Sequence, residues 1–259
     1  MPSAVGEPEL DFSIVIPAFK ESYKIERDIR AAAEFLSSNG LAGEIIVVDD
    51  GSPDDTAERA RALVPEFPML RVFSYLPNRG KGHAVRYGIL RSTGRIVMFV
   101  DAGLCVPYRI AKIGIEMINM GMCDIAHGSR GMRGSVKVAQ PMYRRLGSRA
   151  YGFFVKTFMG VPRYITDTQC GFKLYRREVA HALFEPIATD GFMFDTEAVL
   201  RALRAPFSIL EFPVLWSNDP DTRYDPVKGT IRNLQELIAM RLRLAGAGGA
   251  PKREPVTER

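Results

Sequence analysis

Three short stretches hold residues whose types and spacing suit the handling of a phosphorylated ligand. Asp49 and Asp50 directly follow the apolar run Ile45-Ile46-Val47-Val48, and Gly51 behind them permits a tight turn. A carboxylate emerging at the end of a strand can accept hydrogen bonds from a nucleobase imide or a ribose; for Asp50 alone, a helix cap or a turn is the competing role. Arg79-Gly80-Lys81-Gly82-His83 sets two cations between glycines just ahead of a helical pattern. Backbone N–H groups and the dipole at a helix start favour an anion, so this stretch can cradle a diphosphate, although its spacing is not that of a GxxxxGKS or GxxxxGKT phosphate loop. Asp101 closes the apolar run Ile96-Val97-Met98-Phe99-Val100. A carboxylate there can hold a hard divalent cation bridging phosphate oxygens, or cap the helix that follows.

The elements that must position these groups are legible as alternating patterns. Residues 12–19 form a β-rich apolar run, and 22–39 carry helical periodicity through Ile25, Ile29, Ala32, Phe35 and Leu36. Further strands are predicted at 44–48, 70–75 and 95–100, with helices at 54–63 and 83–92. Four apolar β-runs alternating with helices imply an α/β fold with a mostly parallel sheet covered on both faces. Ligands in such sheets sit at the carboxyl ends of the strands, where the three polar stretches fall. Beyond Asp101 the pattern loosens. Helices are predicted at 108–121, 176–185, 195–204 and 229–244, and strands at 123–127 and 207–214, with a basic stretch rich in glycine and aromatics at 128–160.

A hydrophobic fraction of 46% and a charged fraction of 25% exclude disordered and collagen-like chains, and 259 residues make one large domain or two small ones. Cys105, Cys123 and Cys170 stand singly, which argues against a disulfide scaffold or a zinc site and fits a reducing compartment. The start of the chain, MPSAVGEPELDF, lacks the basic and apolar regions of a signal peptide and reads as cytoplasmic. Apolar runs such as Ile96 to Val100 fall far short of the about 20 residues of a membrane span. His83, His127 and His181 are scattered and read as structural or surface groups, and Trp216 reads as core. A net charge of +5 suits an anionic partner without choosing one.

Taken together, VIPAFKES at 15–22, VVDDGSPDDT at 47–56, NRGKGHAVRYGI at 78–89, FVDAG at 99–103 and DTQCGFKLYRR at 167–177 resemble the family 2 inverting glycosyltransferases of the GT-A fold. The likeness is greatest to the polyprenyl-phosphate sugar synthases, those that glucosylate dolichyl phosphate above all. It covers about residues 11–245, with 11–103 as a nucleotide-binding half and 104–245 as an acceptor half, between a flexible start at 1–10 and a disordered tail at 246–259. The resemblance implies that Pro17, Phe19 and Glu21 line the nucleoside pocket, that Asp49 binds the base, that Asp50 supports the ribose or a loop, and that Lys81 lies close to the nucleotide. Asp101 matches the first aspartate of the family's DxD motif, which implies Mg²⁺ or Mn²⁺ on Asp101. Here the sequence departs from the pattern: the second aspartate is Gly103, and Cys105 stands where many mannose synthases carry Gln. Losing one carboxylate weakens the binding of a hard cation.

The resemblance further implies that Arg130 and Gln169 border the sugar and the acceptor phosphate, and that Asp195 shapes the sugar site. Asp167 is the family's candidate base or orienting group; a buried carboxylate paired with an arginine is the rival role. Residues 133–163 interleave cations, Arg144, Arg145 and Arg149 among them, with aromatics such as Tyr143 and Phe154. Such a segment can lie on an anionic membrane surface and present Arg144 and Arg149 to a lipid phosphate, or pack as a helix with a solvated basic face. The helix at 229–244 repeats the theme, and no nucleic-acid motif accompanies either. The expectation is a cytoplasmic, membrane-peripheral transferase that moves glucose from UDP-glucose onto a polyprenyl phosphate. Its rivals are transfer to a soluble saccharide or small molecule, and binding of a nucleotide sugar at a degenerate metal site.

Overall fold

The computed structural model describes residues 10–137, 152–217 and 226–246. Residues 138–151 of the basic aromatic stretch, with Arg144, Arg145 and Arg149, residues 1–9 and the tail from 247 lie outside the described residues.

The first half is a run of strand and helix in turn: β1 (Phe12–Ala18), α1 (Ile25–Ser38), β2 (Gly43–Asp49), α2 (Thr56–Ala62), β3 (Leu70–Ser74), α3 (Lys81–Ile89) and β4 (Ile96–Val100). A short 3₁₀ turn, Tyr108–Ile110, leads into α4 (Ala111–Asn119), then β5 (Ile125–Ser129) and β6 (Val136–Lys137). Residues 152–159 form α5. The chain closes with β7 (Phe172–Arg176), α6 (Arg177–Phe184), α7 (Phe194–Arg204), β8 (Ile209–Pro213), β9 (Leu215–Trp216) and α8 (Pro226–Gly246).

Seven strands make one sheet in the order β3-β2-β1-β4-β7-β5-β8, and β6 pairs with β9 in a second, two-stranded one. All pairs in the large sheet are parallel except those of β7, which runs antiparallel to β4 and β5. β1 and β2 are buried on both faces, as the unbroken runs FSIVIPA and GEIIVVD require. Alternate residues feed two cores. Ile14, Ile16 and Met98 pack with α1 and α4 on one face, and Val15, Val97 and Phe99 pack with α3, α6 and α7 on the other. A third cluster joins Val155 of α5, Val199 and Leu200 of α7, and Leu237 and Met240 of α8.

The sequence pattern does not predict β7. Lys173 stands between Phe172 and Leu174 and breaks the apolar run, yet it is fully buried. α3 begins at Lys81 rather than His83, which makes Lys81 the first residue of the helix.

The chain turns back between β3 and β4, so the sheet order reverses at β1 and β4. That reversal opens a crevice at the carboxyl ends of the strands, and Phe19, Asp49, Asp50 and Asp101 all leave the sheet there.

Candidate active site

The two strand-end aspartates divide their work. The Asp50 carboxylate accepts from the Tyr75 hydroxyl at 2.9 Å, the Asn78 side-chain amide at 2.7 Å, and the backbone N–H groups of Arg79 at 2.9 Å and Gly80 at 2.8 Å. It is a clamp that fixes the loop delivering Lys81 to the start of α3. Asp49 is buried and accepts from the Ser52 N–H at 3.3 Å, which sets the turn after β2. Of the residues implied for a nucleoside pocket, Pro17 is half-buried and Phe19 is exposed. Glu21 leans on Lys24 at 3.7 Å, and its backbone N–H donates to the Thr56 hydroxyl at 2.8 Å. All three border the mouth formed by β1 and β2.

Lys81 and Asp101 meet at the centre of the crevice, with Nζ 2.6 Å from Oδ1. The Asp101 backbone N–H donates to the Gly171 carbonyl at 3.0 Å, and its carboxylate lies so close to the Gly171 Cα that any Cβ there would overlap it. Burial alone lowers the affinity of Lys81 for its proton, but Asp101 and then Asp195 raise it above the ordinary value, so the ammonium is retained.

Arg130, just past β5, and Asp167 form a two-pronged pair at 2.7 and 3.0 Å. Burial raises the Asp167 carboxyl, but the Arg130 guanidinium and the N–H of Gln169 overcome it and hold the carboxyl well below the usual range. Such a weak base suits the orienting role: Asp167 aims Arg130, whose guanidinium also lies 5.9 Å from the Trp216 ring. Trp216 is accordingly half-buried at the core's edge. Gln169 donates to Asp167 from its backbone and to the Met193 sulfur at 3.4 Å.

Beneath these groups lies an ion pair that sequence reasoning missed. Lys173 Nζ donates to Asp195 Oδ1 at 2.7 Å and to the carbonyls of Cys170 at 2.8 Å and Thr168 at 3.2 Å. Asp195 opens α7 but is 2% exposed and committed to Lys173, so it is part of the floor of the site. Glu211 of β8 was also not foreseen. It accepts from Thr166 N–H at 2.8 Å, the Thr166 hydroxyl at 2.7 Å and Asp167 N–H at 2.9 Å, fixing the loop before β7 that carries Asp167. No periodicity marks either residue, because each acts through partners far away in sequence.

A hard divalent cation at a phosphate site takes about six oxygen ligands, of which one or two are carboxylates and the rest substrate phosphate oxygens and water. Asp101 offers one carboxylate and already faces an ammonium, while Asp167 and Asp195 are each held by a cation at 2.7 Å. Gly103 contributes no side chain. Among the described residues no group of three His, Cys, Asp or Glu side chains converges.

Ligands bind in strand-end crevices of this kind, and the comparisons give the class as a glycosyltransferase: a family model described as glycosyl transferase family 2 matches residues 13–184, and the chain belongs to that family. Dolichyl-phosphate beta-glucosyltransferase of Homo sapiens is 30% identical over 264 residues, covering 95% of this chain and 80% of that protein. The Saccharomyces cerevisiae enzyme of the same name is 29% identical over 252 residues, 91% of this chain and 75% of its own. Glycosyltransferase AglD of Haloferax volcanii is 34% identical over 229 residues, but the 88% of this chain that aligns spans only 36% of that protein. The fold is the Rossmann-like GT-A fold. A solved glucosyl-3-phosphoglycerate synthase from Mycobacterium tuberculosis, in complex with Mn²⁺, UDP and phosphoglyceric acid, matches with a TM-score of 0.66 at 20% identity over 93% of this chain and 80% of that one. The mannosyltransferase PcManGT from Pyrobaculum calidifontis, with GDP-Man and Mn²⁺, matches at 0.61 and 19% identity over 94% of this chain and 66% of that one.

Proposed function

We propose that this chain transfers glucose from UDP-glucose to the phosphate of a polyprenyl or dolichyl lipid, with inversion, at the cytoplasmic face of a membrane. The observation that carries the reading is the convergence of Lys81 and Arg130, each anchored by a carboxylate, at one strand-end mouth. Two anions must meet there, and fixed cations offset their repulsion. The names of the relatives supply the lipid phosphate and the sugar.

In the step itself, an oxygen of the acceptor phosphate attacks the anomeric carbon from the side opposite the diphosphate. The bond from that carbon to the diphosphate oxygen breaks, and its electron pair leaves with UDP. A phosphate monoester is already ionised near neutral pH, with a second pKa of about 6, so the acceptor needs no strong general base. This agrees with an Asp167 spent on orienting Arg130. Asp49 and Asp50 contribute by building the nucleotide side of the mouth.

A membrane-facing surface is supported by α8. Ile231, Leu234, Ile238 and Leu242 form an exposed apolar stripe on the side away from buried Leu237 and Met240, and Phe153 and Phe154 of α5 are exposed as well. Arg232 and Arg241 are interleaved with the stripe in sequence, and Arg243 follows it. No described helix is long and apolar enough to cross a membrane.

The test offers the purified chain radiolabelled UDP-glucose or GDP-mannose with either a short polyprenyl phosphate or a soluble phosphorylated acid. Label from UDP-glucose entering an organic phase only with the polyprenyl phosphate is the expected result. Label moving to the soluble acceptor instead would replace the lipid, and a preference for GDP-mannose would replace the sugar.

A further inference from the structure

We infer that Lys81 carries the charge of the departing diphosphate in the place of a divalent cation, with Asp101 serving as the anchor of Lys81 rather than as a metal ligand. The inference rests on the glycosyl-transfer reading above and deepens it at the same site.

Three features of the crevice support it. Asp101 has neighbours on two sides: Lys81 Nζ stands 2.6 Å from Oδ1 as an ion pair that lacks hydrogen-bond alignment, and the bare Cα of Gly171 lies against its carboxylate. Lys81 is fixed, because it is the first residue of α3, the Asp50 clamp holds the loop before it, and its Nζ lies 5.8 Å from the rings of both Phe192 and Phe194. An ammonium held this firmly is a preorganised donor, which is the arrangement that stabilises charge developing on a leaving group.

The third feature is the loop after β4, which is shaped to do without a second carboxylate. Gly103 has φ +101°, a conformation that side-chain-bearing residues rarely adopt, and Leu104 follows at φ +52°. The loop is pinned there by Asp28, a buried residue of α1 whose carboxylate accepts the Gly103 N–H at 2.5 Å. An aspartate at 103 would be strained in its backbone, and its charge would lie close to the carboxylate that already binds its N–H. The missing ligand is therefore built into the local fold by a residue on another element.

During transfer, the bond between the anomeric carbon and the diphosphate breaks with its electron pair on the diphosphate oxygen, while the acceptor oxygen forms the new bond. Lys81 donates hydrogen bonds to the departing oxygens and keeps its proton, so no co-reactant is required. Arg130, held by Asp167 within electrostatic reach of Asp101 and Lys81, offsets the charge of the acceptor.

The experiment measures glucose transfer from UDP-glucose to a short polyprenyl phosphate in EDTA and in millimolar Mn²⁺, alongside the electron paramagnetic resonance of Mn²⁺ titrated with the wild-type protein and UDP. Turnover in EDTA within about twofold of that in Mn²⁺, with no Mn²⁺ immobilised beyond that bound by UDP alone, is the expected result. Lys81→Met should lose about 10²–10³-fold in kcat, the scale for removing one such donor, and Mn²⁺ should not restore it. Turnover that vanishes in EDTA and returns with Mn²⁺, or Mn²⁺ immobilised by protein and UDP together, would overturn the inference while leaving the glycosyl-transfer reading intact. Absence of transfer under both conditions would instead overturn that reading, and the inference with it. The wild-type resonance measurement decides the matter even where Lys81→Met does not fold.

Discussion

Replacing Lys173 by Met removes the cation beneath the site and leaves the buried Asp195 carboxylate without a partner. Lys173 has a side-chain exposure of 0% and Asp195 of 2%, and their polar atoms stand 2.7 Å apart. Removing one member of such a pair costs about 3–5 kcal/mol, because the surviving charge stays desolvated. At about 2–4 °C per kcal/mol for a chain of this size, Tm should fall by about 6–20 °C. The loss should grow with pH. Burial already raises the Asp195 carboxyl, opposed by Lys173 and Lys81, and without Lys173 it rises further. The fold then binds a proton that the unfolded chain releases, so stability declines as pH climbs above the ordinary aspartate value. Urea unfolding followed by circular dichroism at pH 5 and pH 8 reads both effects. The double variant Lys173→Met, Asp195→Leu should recover about 2 kcal/mol or more, since an apolar pair of similar volume avoids the desolvation. A single variant within about 1 kcal/mol of wild type, or a double variant as unstable as the sum of the two single ones, would refute this reasoning.

Two further outcomes follow from the geometry. Gly171→Ala places a Cβ where the Asp101 carboxylate now lies, so the carboxylate must leave Lys81; misplacement on this scale should lower kcat by about 10²-fold, and steady-state kinetics near wild type would show that Asp101 does not need its seat against Gly171. His127 is buried on β5, and burial followed by the charge of Lys173 lowers its affinity for a proton well below the ordinary value of 6.5. Below that pH the unfolded chain gains a proton that the fold rejects, so Tm should drop between pH 7.5 and 5.5, and His127→Gln should flatten the drop.

Much of the first half's sheet and its strand-end mouth was legible because strands and polar residues coincide there. Apolar runs that end in Asp49, Asp50 and Asp101 announce both a parallel sheet and the edge at which its ligands gather. Lys173 shows why the other side was not. A lysine between Phe172 and Leu174 has the pattern of an exposed position, and Asp195, brought over by α7, with the carbonyls of Thr168 and Cys170, makes its burial tolerable. Asp28 likewise reads as an acidic residue in the first turn of α1, and its hold on Gly103 exists only once α1 packs beside the loop after β4. Glu211 and Gly171 act through the same kind of long-range closeness, on Asp167 and on Asp101 respectively. Local periodicity carries no record of such pairs.

The stereochemistry of the product tests the central claim most directly. Purified protein is given UDP-glucose, whose glucose is α-linked, and a short polyprenyl phosphate, and the lipid product is examined by the proton coupling at its anomeric carbon. A β-linked glucosyl phosphate is the predicted result, since in the proposed reaction the acceptor oxygen attacks opposite the departing diphosphate. An α-linked product, or release of free glucose with no glucosylated lipid, would contradict the account.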